Sequence, residues 1–151
     1  MKKPIFSLEN IRLSCPSVCC DEAILAAGRH MVEQGYVKEA YIDGMLRRNR
    51  EFSVYIGNYL AMPHGVYTVK DEIITSGIVL HVYPNGIDWD GEPVKFVLGL
   101  AGQDNKHLQV IELCAELFSN METVDKMLAC TEPQELYNIF TESSSSSCLI
   151  V

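Results

Sequence analysis

The chain has 151 residues, 48% of them hydrophobic and 21% charged, so it can form one globular domain with a substantial core. Asp and Glu number 20 against 12 Lys and Arg, and this formal net charge of −8 argues against nucleic acid as the main partner. No apolar run approaches the ~20 residues of a membrane helix, and none follows the lysines of the N-terminal "MKKPIFSLEN". We therefore expect a cytoplasmic protein with no direct membrane insertion.

Two amphipathic segments predict helices in the first third of the chain. In residues 21–35, "DEAILAAGRHMVEQG", apolar side chains recur on one helical face, and Asp21 and Gly35 can cap its two ends. Residues 39–49, "EAYIDGMLRRN", predict a second helix with arginines at its C-terminal end, where cations suit the helix dipole. The inward-facing side chains of this second helix are expected to be Ile42, Met45 and Leu46.

The middle of the chain has the composition of β-strands. Four short runs rich in apolar and β-branched residues predict strands: "VYI" at 54–56, "LAM" at 60–62, "IITSGIVLHVY" at 73–83 and "VKFVLGLA" at 94–101. Between the last two runs, Pro84-Asn85-Gly86 predicts a turn, because proline and glycine interrupt regular structure.

The last third is predicted to be helical. Residues 107–118 carry Asn105 as a candidate N-cap, and an apolar face is expected to contain Leu108, Ile111, Cys114 or Ala115, and Phe118. Two capping-box patterns precede two shorter helices, formed by Ser119 with Glu122 and by Thr131 with Gln134. Because helices flank a strand-rich middle, we expect an α/β fold: a mixed parallel and antiparallel sheet of about four to five strands with helices on both faces, in three layers α/β/α.

The chain shows one domain over residues 1–142, followed by a Ser-rich segment, 143–151, which we expect to be a flexible tail. Among six cysteines, Cys15, Cys19 and Cys20 form a C-x3-C-C group that could be part of a metal or thiol site. No second group of Cys and His stands at ligand spacing to complete a zinc site. We therefore expect no metal. No Gly-rich P-loop and no Gly-Lys-Ser/Thr motif appears, so we expect no ATP binding and no cofactor either.

His64 has the most informative surroundings of the four histidines. It follows an apolar run in "NYLAMPHGV" and lies between Pro63, which fixes its own φ, and Gly65, which allows backbone angles closed to other residues. These neighbours can hold the imidazole at a strand end with little conformational freedom, as suits an exposed and rigid nucleophile. The alternative is that P-H-G is a simple turn with a polar residue in it.

Two further features are compatible with phosphoryl chemistry near a histidine. His107 falls in the first turn of a predicted helix, where the macrodipole keeps an imidazole neutral and free N–H groups can bind an oxyanion. Arg48 lies in "RRNR", and its planar fork matches phosphate oxygens. Alternatively, both are ordinary surface residues at helix ends. His30 is expected at the boundary with solvent and His81 in the core.

Taken together, these residues resemble a known family. "YIGNYLAMPHGV" followed by "GQDNKHLQVI", with "GYVKEAYIDGMLRR" upstream, is similar to the enzyme IIA domain of the bacterial sugar phosphotransferase system, mannitol/fructose branch. The resemblance extends from about Ile11 to Phe140, and the block around "NKHLQVI" is closer to the mannitol subtype.

The resemblance implies that His64 accepts a phosphoryl group from the carrier protein HPr on Nε2 and passes it to a cysteine of enzyme IIB, which serves a membrane component IIC. His107 would be the second active-site histidine and Arg48 the active-site arginine, although Arg47 beside it leaves the register open. Asn58 occupies a position where some mannitol members carry glutamate, so no carboxylate role can be assigned to it. Asn58, Pro63 and Gly65 are expected to support the site.

Two other functions remain open at this point. Relatives of this domain can serve as regulatory modules whose phosphorylation state controls a transcription regulator or transporter. A thiol or metal protein built on Cys15, Cys19 and Cys20 is the third possibility.

Overall fold

The computed structural model describes residues 3–149 and contains one five-stranded sheet in the order β1-β4-β5-β3-β2. The strands are β1 Ile11–Arg12, β2 Tyr55–Gly57, β3 Leu60–Ala61, β4 Gly77–Trp89 and β5 Glu92–Ala101. The helices are α1 Cys20–Glu33, α2 Ala40–Glu51, α3 Lys106–Phe118, α4 Met121–Leu128 and α5 Pro133–Thr141. β1 pairs with β4 and β3 with β5 in parallel, whereas β4 with β5 and β2 with β3 are antiparallel. The predicted α/β class and mixed sheet are confirmed.

Both faces of the sheet are covered by helices. In β4 and β5, side chains alternate between two separate apolar clusters. One cluster joins Leu80 and Leu98 to α3, α4 and α5; the other joins Val79 and Val97 to α1 and α2. Because both faces are buried, the central strands are continuous apolar runs, as is usual for strands inside a three-layer fold.

The predicted turn at Pro84-Asn85-Gly86 is wrong. β4 continues through these residues with a shift of register between Val82 and Ile87, and Gly86 has a φ of +77° within that irregularity. The chain reverses at Asp90-Gly91, whose φ values of +52° and +93° fit the Asp-Gly turn of a tight hairpin. Proline and glycine here mark a bulge in a long strand, which a local reading does not distinguish from a turn.

Helix caps lie close to the predicted positions but differ in residue. Cys19, not Asp21, precedes α1, and Asp21 lies in the first turn; Gly35, with a φ of +82°, follows the other end as expected. Asn120 rather than Ser119 caps α4 by accepting from the Glu122 N–H. Asn105 precedes α3 but forms no side-chain cap. The α5 capping box consists of Glu132 and Glu135 rather than Thr131 and Gln134, because a carboxylate one position later fits the same geometry.

The apolar face predicted for α3 is rotated from the buried one. Leu108 and Ile111 were expected inside but are 60% and 37% exposed, whereas the buried side chains follow another i, i+3, i+4 series. That buried series consists of Val110, Leu113, Cys114, Leu117 and Phe118. α3 is apolar on more than one face, so periodicity alone did not decide which face meets the sheet.

The Ser-rich segment returns to α3 instead of leaving the domain. Ser143 Oγ donates to the Glu116 carboxylate at 2.6 Å, as does the Ser145 N–H at 3.1 Å. Residues Ser146–Leu149 form a short 3-10 helix that buries Cys148 and Leu149 in the core cluster on that face. The flexible tail was expected from serine content, which takes no account of these two apolar residues. Residues 150 and 151 lie outside the described part of the chain.

Candidate active site

His64 lies just beyond the C-terminal end of β3, which pairs with β5 on one side and with the edge strand β2 on the other. Beyond Ala61 the chain stays extended, and His64 forms a single parallel bridge with Leu100 of β5. The Leu100 N–H donates to the Pro63 carbonyl at 2.9 Å. Since Pro63 has no N–H of its own, regular pairing cannot continue on both sides of it. The half-buried imidazole is thus held at a strand end, as the sequence predicts.

The tautomer of His64 follows from one hydrogen bond. Nδ1 lies 2.8 Å from the Met62 carbonyl oxygen, and a carbonyl can only accept, so Nδ1 carries the hydrogen. In a neutral ring this leaves the lone pair on Nε2. The backbone therefore selects the nitrogen that is available as a nucleophile.

Gly65 is required for space and not for an unusual φ. Its φ does not lie in the left-handed region. A Cβ at this position, however, would lie 2.7 Å from Cε1 of Tyr41 and 2.6 Å from a methyl carbon of Val69. The expectation that Gly65 supplies special backbone angles is therefore wrong. The glycine lets the loop after His64 lie directly against α2.

His107 lies next to His64. Their ring centroids are 5.1 Å apart and the ring planes cross at 71°. His107 is the second residue of α3, and a Cβ on Gly102 would lie 2.6 Å from its backbone N and Cα. A glycine at 102 therefore lets the loop after β5 place the first turn of α3 beside the end of β3.

Arg48 approaches both rings from the last turn of α2. Its Nη1 donates to the Phe52 carbonyl at 2.7 Å, and its guanidinium lies 5.8 Å from the centroid of the Phe52 ring. Arg48 lines the same cleft as His64 and His107, whereas Arg47 is exposed and does not line it. Of the two neighbouring arginines, Arg48 is therefore the one that faces the cleft.

The surroundings keep both imidazoles neutral. Burial lowers the pKa of His64, and the charges of His107 and Arg48 lower it further, although the bond to the Met62 carbonyl acts in the opposite direction. Burial and the charge of Arg48 also lower the pKa of His107. A neutral His64 keeps its Nε2 lone pair at neutral pH.

The three residues face a cleft of about 720 Å³ that also includes Tyr41, Lys70 and Gln103. Tyr41 was not among the residues expected in this region from the sequence. It precedes Arg48 by about two helical turns, so helical periodicity alone places both on one face of α2. The seven-residue spacing from Arg48 could have indicated Tyr41, but a tyrosine in an amphipathic helix does not by itself suggest an active site.

Asn58 does not join this group. It occupies the turn between β2 and β3 with a φ of +48°, and its Nδ2 donates to the Phe118 carbonyl at 2.6 Å. His107 is at the N-terminal end of α3 and Phe118 at the C-terminal end, about 17 Å away along a helix of this length. Asn58 thus caps the far end of α3 and is not among the residues that line the cleft.

Exposed apolar side chains lie on the segments next to His64, Arg48 and His107. Phe52 is 74% and Ile56 53% exposed, and Leu108 and Ile111 add the outward face of α3. Two of them, Ile56 and Ile111, line a shallow depression together with His64 and Met62. Large apolar side chains clustered on a surface mark interaction sites more often than scattered ones do. We call Phe52, Ile56, Leu108 and Ile111 the apolar collar.

His30 differs from its expected place. It is 2% exposed, not at the boundary with solvent, because its Nδ1 lies 2.9 Å from Nε2 of His81 and its Nε2 lies 2.9 Å from the Glu9 carbonyl oxygen. His81 is 1% exposed, as predicted for a core histidine. These contacts give both ring nitrogens of His30 a hydrogen-bond partner, so the residue can be buried without an unpaired polar atom.

Within residues 3–149, no group of three or more His, Cys, Asp or Glu side chains is arranged to hold a metal ion. Cys15, Cys19 and Cys20 are free thiols. Over the same range, every helix is too short or too polar to cross a bilayer.

An open α/β sheet with a neutral imidazole, an arginine and a second histidine in one cleft fits a class of protein that transfers an anionic group through histidine. Comparison with known proteins is more specific. Residues 4–143 match the family model described as "Phosphoenolpyruvate-dependent sugar phosphotransferase system, EIIA 2". The chain belongs to this family, whose members are phosphotransferases, and the predicted resemblance is confirmed.

Similar proteins support the same assignment. The mannitol-specific phosphotransferase enzyme IIA component of Halalkalibacterium halodurans is 40% identical over 136 residues, which cover 90% of this chain and 94% of that protein. The component of the same name from Staphylococcus aureus is 40% identical over 141 residues, covering 93% and 98%. The crystal structure of IIA mannitol from Escherichia coli has a TM-score of 0.83 at 30% identity, covering 89% of this chain and 98% of that one.

A further solved structure contains a partner. It is a complex of enzyme IIA for mannitol with phosphorylated enzyme IIB, both from Escherichia coli. The matching chain has a TM-score of 0.86 at 28% identity, and the match covers 91% of this chain and 98% of that one.

Proposed function

We propose that this protein is a cytoplasmic phosphocarrier for mannitol uptake, in which His64 accepts a phosphoryl group from phospho-HPr and passes it to a cysteine of enzyme IIB. The observation that carries the proposal is the 2.8 Å contact between His64 Nδ1 and the Met62 carbonyl, which leaves the Nε2 lone pair available beside the open cleft. The mannitol assignment is supported by the relatives at 40% identity, which are named mannitol-specific.

The chemistry is two transfers of one phosphoryl group. In the first, the Nε2 lone pair of His64 attacks the phosphorus of a phosphohistidine, and the N–P bond of the donor breaks with its electron pair returning to the donor ring. In the second, a thiolate of enzyme IIB attacks the same phosphorus, the Nε2–P bond breaks, and neutral His64 is restored. While His64 carries the group, its Nδ1–H donates to Met62, which stabilises the positive charge of the substituted ring.

Charge on the transferred group is balanced by residues around the cleft. The transition state spreads negative charge over three equatorial oxygens, so catalysis consists mainly of positioning and electrostatic stabilisation. Arg48 supplies a permanent positive charge, and α3 begins beside the cleft with the free N–H groups of its first turn. His107, at 5.1 Å between ring centroids, is near enough to act on a group attached to His64.

Partner docking is supported by the apolar collar. HPr and enzyme IIB must each bring a reactive side chain to the same Nε2, so each must bind around it in turn. An exposed apolar rim next to a charged centre can bind successive partners without demanding one exact set of polar contacts. The net charge of −8 adds attraction toward basic partner surfaces.

A regulatory role is the second candidate raised by the sequence. The nitrogen regulatory protein IIA-Ntr of Neisseria meningitidis has a TM-score of 0.74, but at 18% identity this likeness concerns the fold alone. The relatives at 40% identity favour the sugar-transport role.

The proposal is tested by incubating the protein with phosphoenolpyruvate, enzyme I and HPr, followed by intact-mass measurement. We expect one phosphoryl adduct that is labile in acid and stable in alkali, as a phosphohistidine is. His64→Ala should lose the adduct while keeping the circular dichroism and melting curve of a folded protein. Adding enzyme IIB for mannitol should discharge the wild-type adduct. Labelling of His64→Ala at the wild-type level would refute the site, and failure of IIB to discharge the adduct would favour the regulatory role.

A further inference from the structure

We propose that Tyr41 is a positioning residue for the phosphoryl transfer, because its hydroxyl group ties the loop that carries His64 to strand β5 and so fixes the direction of Nε2. This inference rests on the proposed role of His64 as the phosphoryl acceptor. Tyr41 does not itself need to touch the transferred group.

Both backbone neighbours of His64 are tied to one residue of β5. On the N-terminal side, the Pro63 carbonyl accepts directly from the Leu100 N–H at 2.9 Å. On the C-terminal side, the Gly65 N–H donates to Tyr41 Oη at 2.8 Å, and Oη donates in turn to the Leu100 carbonyl at 2.8 Å. In a regular parallel ladder the second link would be a direct bond between strands. Here the phenol oxygen stands between the two groups and bonds to both.

The phenol is well suited to this position. Tyr41 is 3% exposed, and burial raises its pKa to about 12, so the hydroxyl keeps its hydrogen and can donate and accept at once. Because Gly65 has no side chain, the aromatic ring lies directly against the loop. Without the phenol oxygen, the partly buried Gly65 N–H and the buried Leu100 carbonyl would each lose this hydrogen bond, at a cost in free energy.

Tyr41 also links the nucleophile to the cation. It lies about two turns before Arg48 on α2, and a helix of this length is a rigid unit. The phenol therefore sets the distance between the backbone of His64 and the helix that carries Arg48. A shift of about 1 Å in such an arrangement can change a transfer rate about 100-fold, because in-line attack depends on the alignment of the reacting atoms.

The test is Tyr41→Phe, which keeps the ring in the core and removes only the oxygen. We expect kcat for phosphoryl transfer from phospho-HPr to fall about 10- to 100-fold, with KM for phospho-HPr changed less than about 3-fold. The His64 Nδ1–H resonance in a proton–nitrogen spectrum should shift or broaden, because the ring no longer keeps one orientation toward the Met62 carbonyl.

Tyr36→Phe is the matched control. The Tyr36 hydroxyl also donates to a backbone carbonyl, that of Pro4 at 2.7 Å, and accepts an N–H, from Asn10 Nδ2 at 2.7 Å, but Tyr36 does not line the cleft. This variant should lose a comparable amount of stability and keep the wild-type kcat and the wild-type His64 resonance. Wild-type kcat in Tyr41→Phe, or an equal loss of kcat in both variants, would overturn the positioning role.

The two proposals fail separately. If His64→Ala is still phosphorylated, the proposed site is wrong whatever Tyr41→Phe does. If His64→Ala is not phosphorylated and Tyr41→Phe transfers at the wild-type rate, the assignment of His64 as the acceptor is supported and only the role of Tyr41 is refuted.

Discussion

Two pairs of histidines in this protein have the same separation between ring centroids, 5.1 Å, in opposite surroundings. His64 and His107 meet edge to face in an open cleft, with ring planes at 71°. His30 and His81 stack at 20° in the core, where each is almost fully buried. Proximity of two imidazoles is therefore not what distinguishes a candidate active site from a structural pair.

The difference lies in where the ring nitrogens find partners. In the buried pair, the Glu9 carbonyl can only accept, so His30 Nε2 carries a hydrogen and His30 Nδ1 accepts from Nε2–H of His81. The two rings thus bond to each other and to the backbone. In the cleft, the Met62 carbonyl binds Nδ1 of His64, which leaves the Nε2 lone pair for the phosphoryl transfer proposed above. In the buried pair, by contrast, both nitrogens of His30 have partners.

The largest expected effect comes from exchanging the arginine beside each pair. Burial is the main cause that lowers the pKa of all four histidines, and a nearby arginine adds to it: Arg48 for His64 and His107, Arg12 for His30 and His81. Arg48→Gln should slow transfer from phospho-HPr about 10²- to 10³-fold, as removal of one charge-stabilising donor does in other enzymes. Arg12→Gln should leave the rate unchanged. Stopped reactions with labelled phospho-HPr measure both, and equal rates for the two variants would contradict the comparison.

Acid should act mainly through the buried pair. Burial lowers the pKa of His81 to about 3, and the charges of His30 and Arg12 act in the same direction. Below pH ~6.5 the unfolded chain binds a proton at this residue that the folded protein does not bind, so stability is fully present above pH ~6.5 and falls toward pH ~3. From this residue alone we expect the free energy of unfolding to be about 2 kcal/mol lower at pH 5 than at pH 8.

Urea unfolding of the wild type and of His81→Gln at several pH values measures this contribution. The glutamine amide can still donate to His30 but does not titrate, so the variant should be less stable at pH 8 and should lose less stability on acidification. Carboxylates contribute equally to both proteins and cancel in the difference. A wild type and a variant with the same slope would mean that His81 has the same pKa in the folded and the unfolded chain, so that burial does not lower it.

The smallest effect is expected for the second histidine of the cleft. His107→Gln should fold and still accept the phosphoryl group on His64, but transfer should slow about 10-fold in at least one direction. The reason is that the neutral imidazole of His107, which lies beside the phosphoryl group, is replaced by an amide of different shape. His30→Gln is the matched change in the buried pair, and it should reduce stability without changing transfer. Forward and reverse rates with HPr and enzyme IIB measure this effect. Wild-type rates in both directions for His107→Gln would exclude a part for His107 in the transfer.

Much of the fold could be predicted from periodicity and composition, and the errors share one cause. The types of the main helices and strands were right, whereas the turn at Pro84-Asn85-Gly86 and the inward face of α3 were wrong. In both cases the local pattern allowed two solutions: a bulge or a turn, and one apolar face or another. Packing against distant strands chose between them, and a short stretch of sequence contains no information about that packing.

The candidate site divides in the same way. The P-H-G stretch predicted by itself that the imidazole of His64 would be held at a strand end, since Pro63 has no N–H with which to continue regular pairing. The angular freedom expected of Gly65 had no part in this, because the structure uses that glycine for space. Asn58 was expected to support the site because it matches a position of the family pattern, yet it binds the Phe118 carbonyl at the far end of α3. Tyr41 has no chemical signature in the sequence and became visible only through its bonds to Gly65 and Leu100.

The sequence by itself determined the elements of this protein and the local constraint on His64, because backbone restrictions and hydrophobic periodicity act between residues a few positions apart. Only the tertiary structure decided that His107 and Arg48 meet His64 while His30 and His81 meet each other. Those meetings depend on the strand order β1-β4-β5-β3-β2 and on the faces that the helices bury, and both are fixed by contacts between segments far apart in the chain.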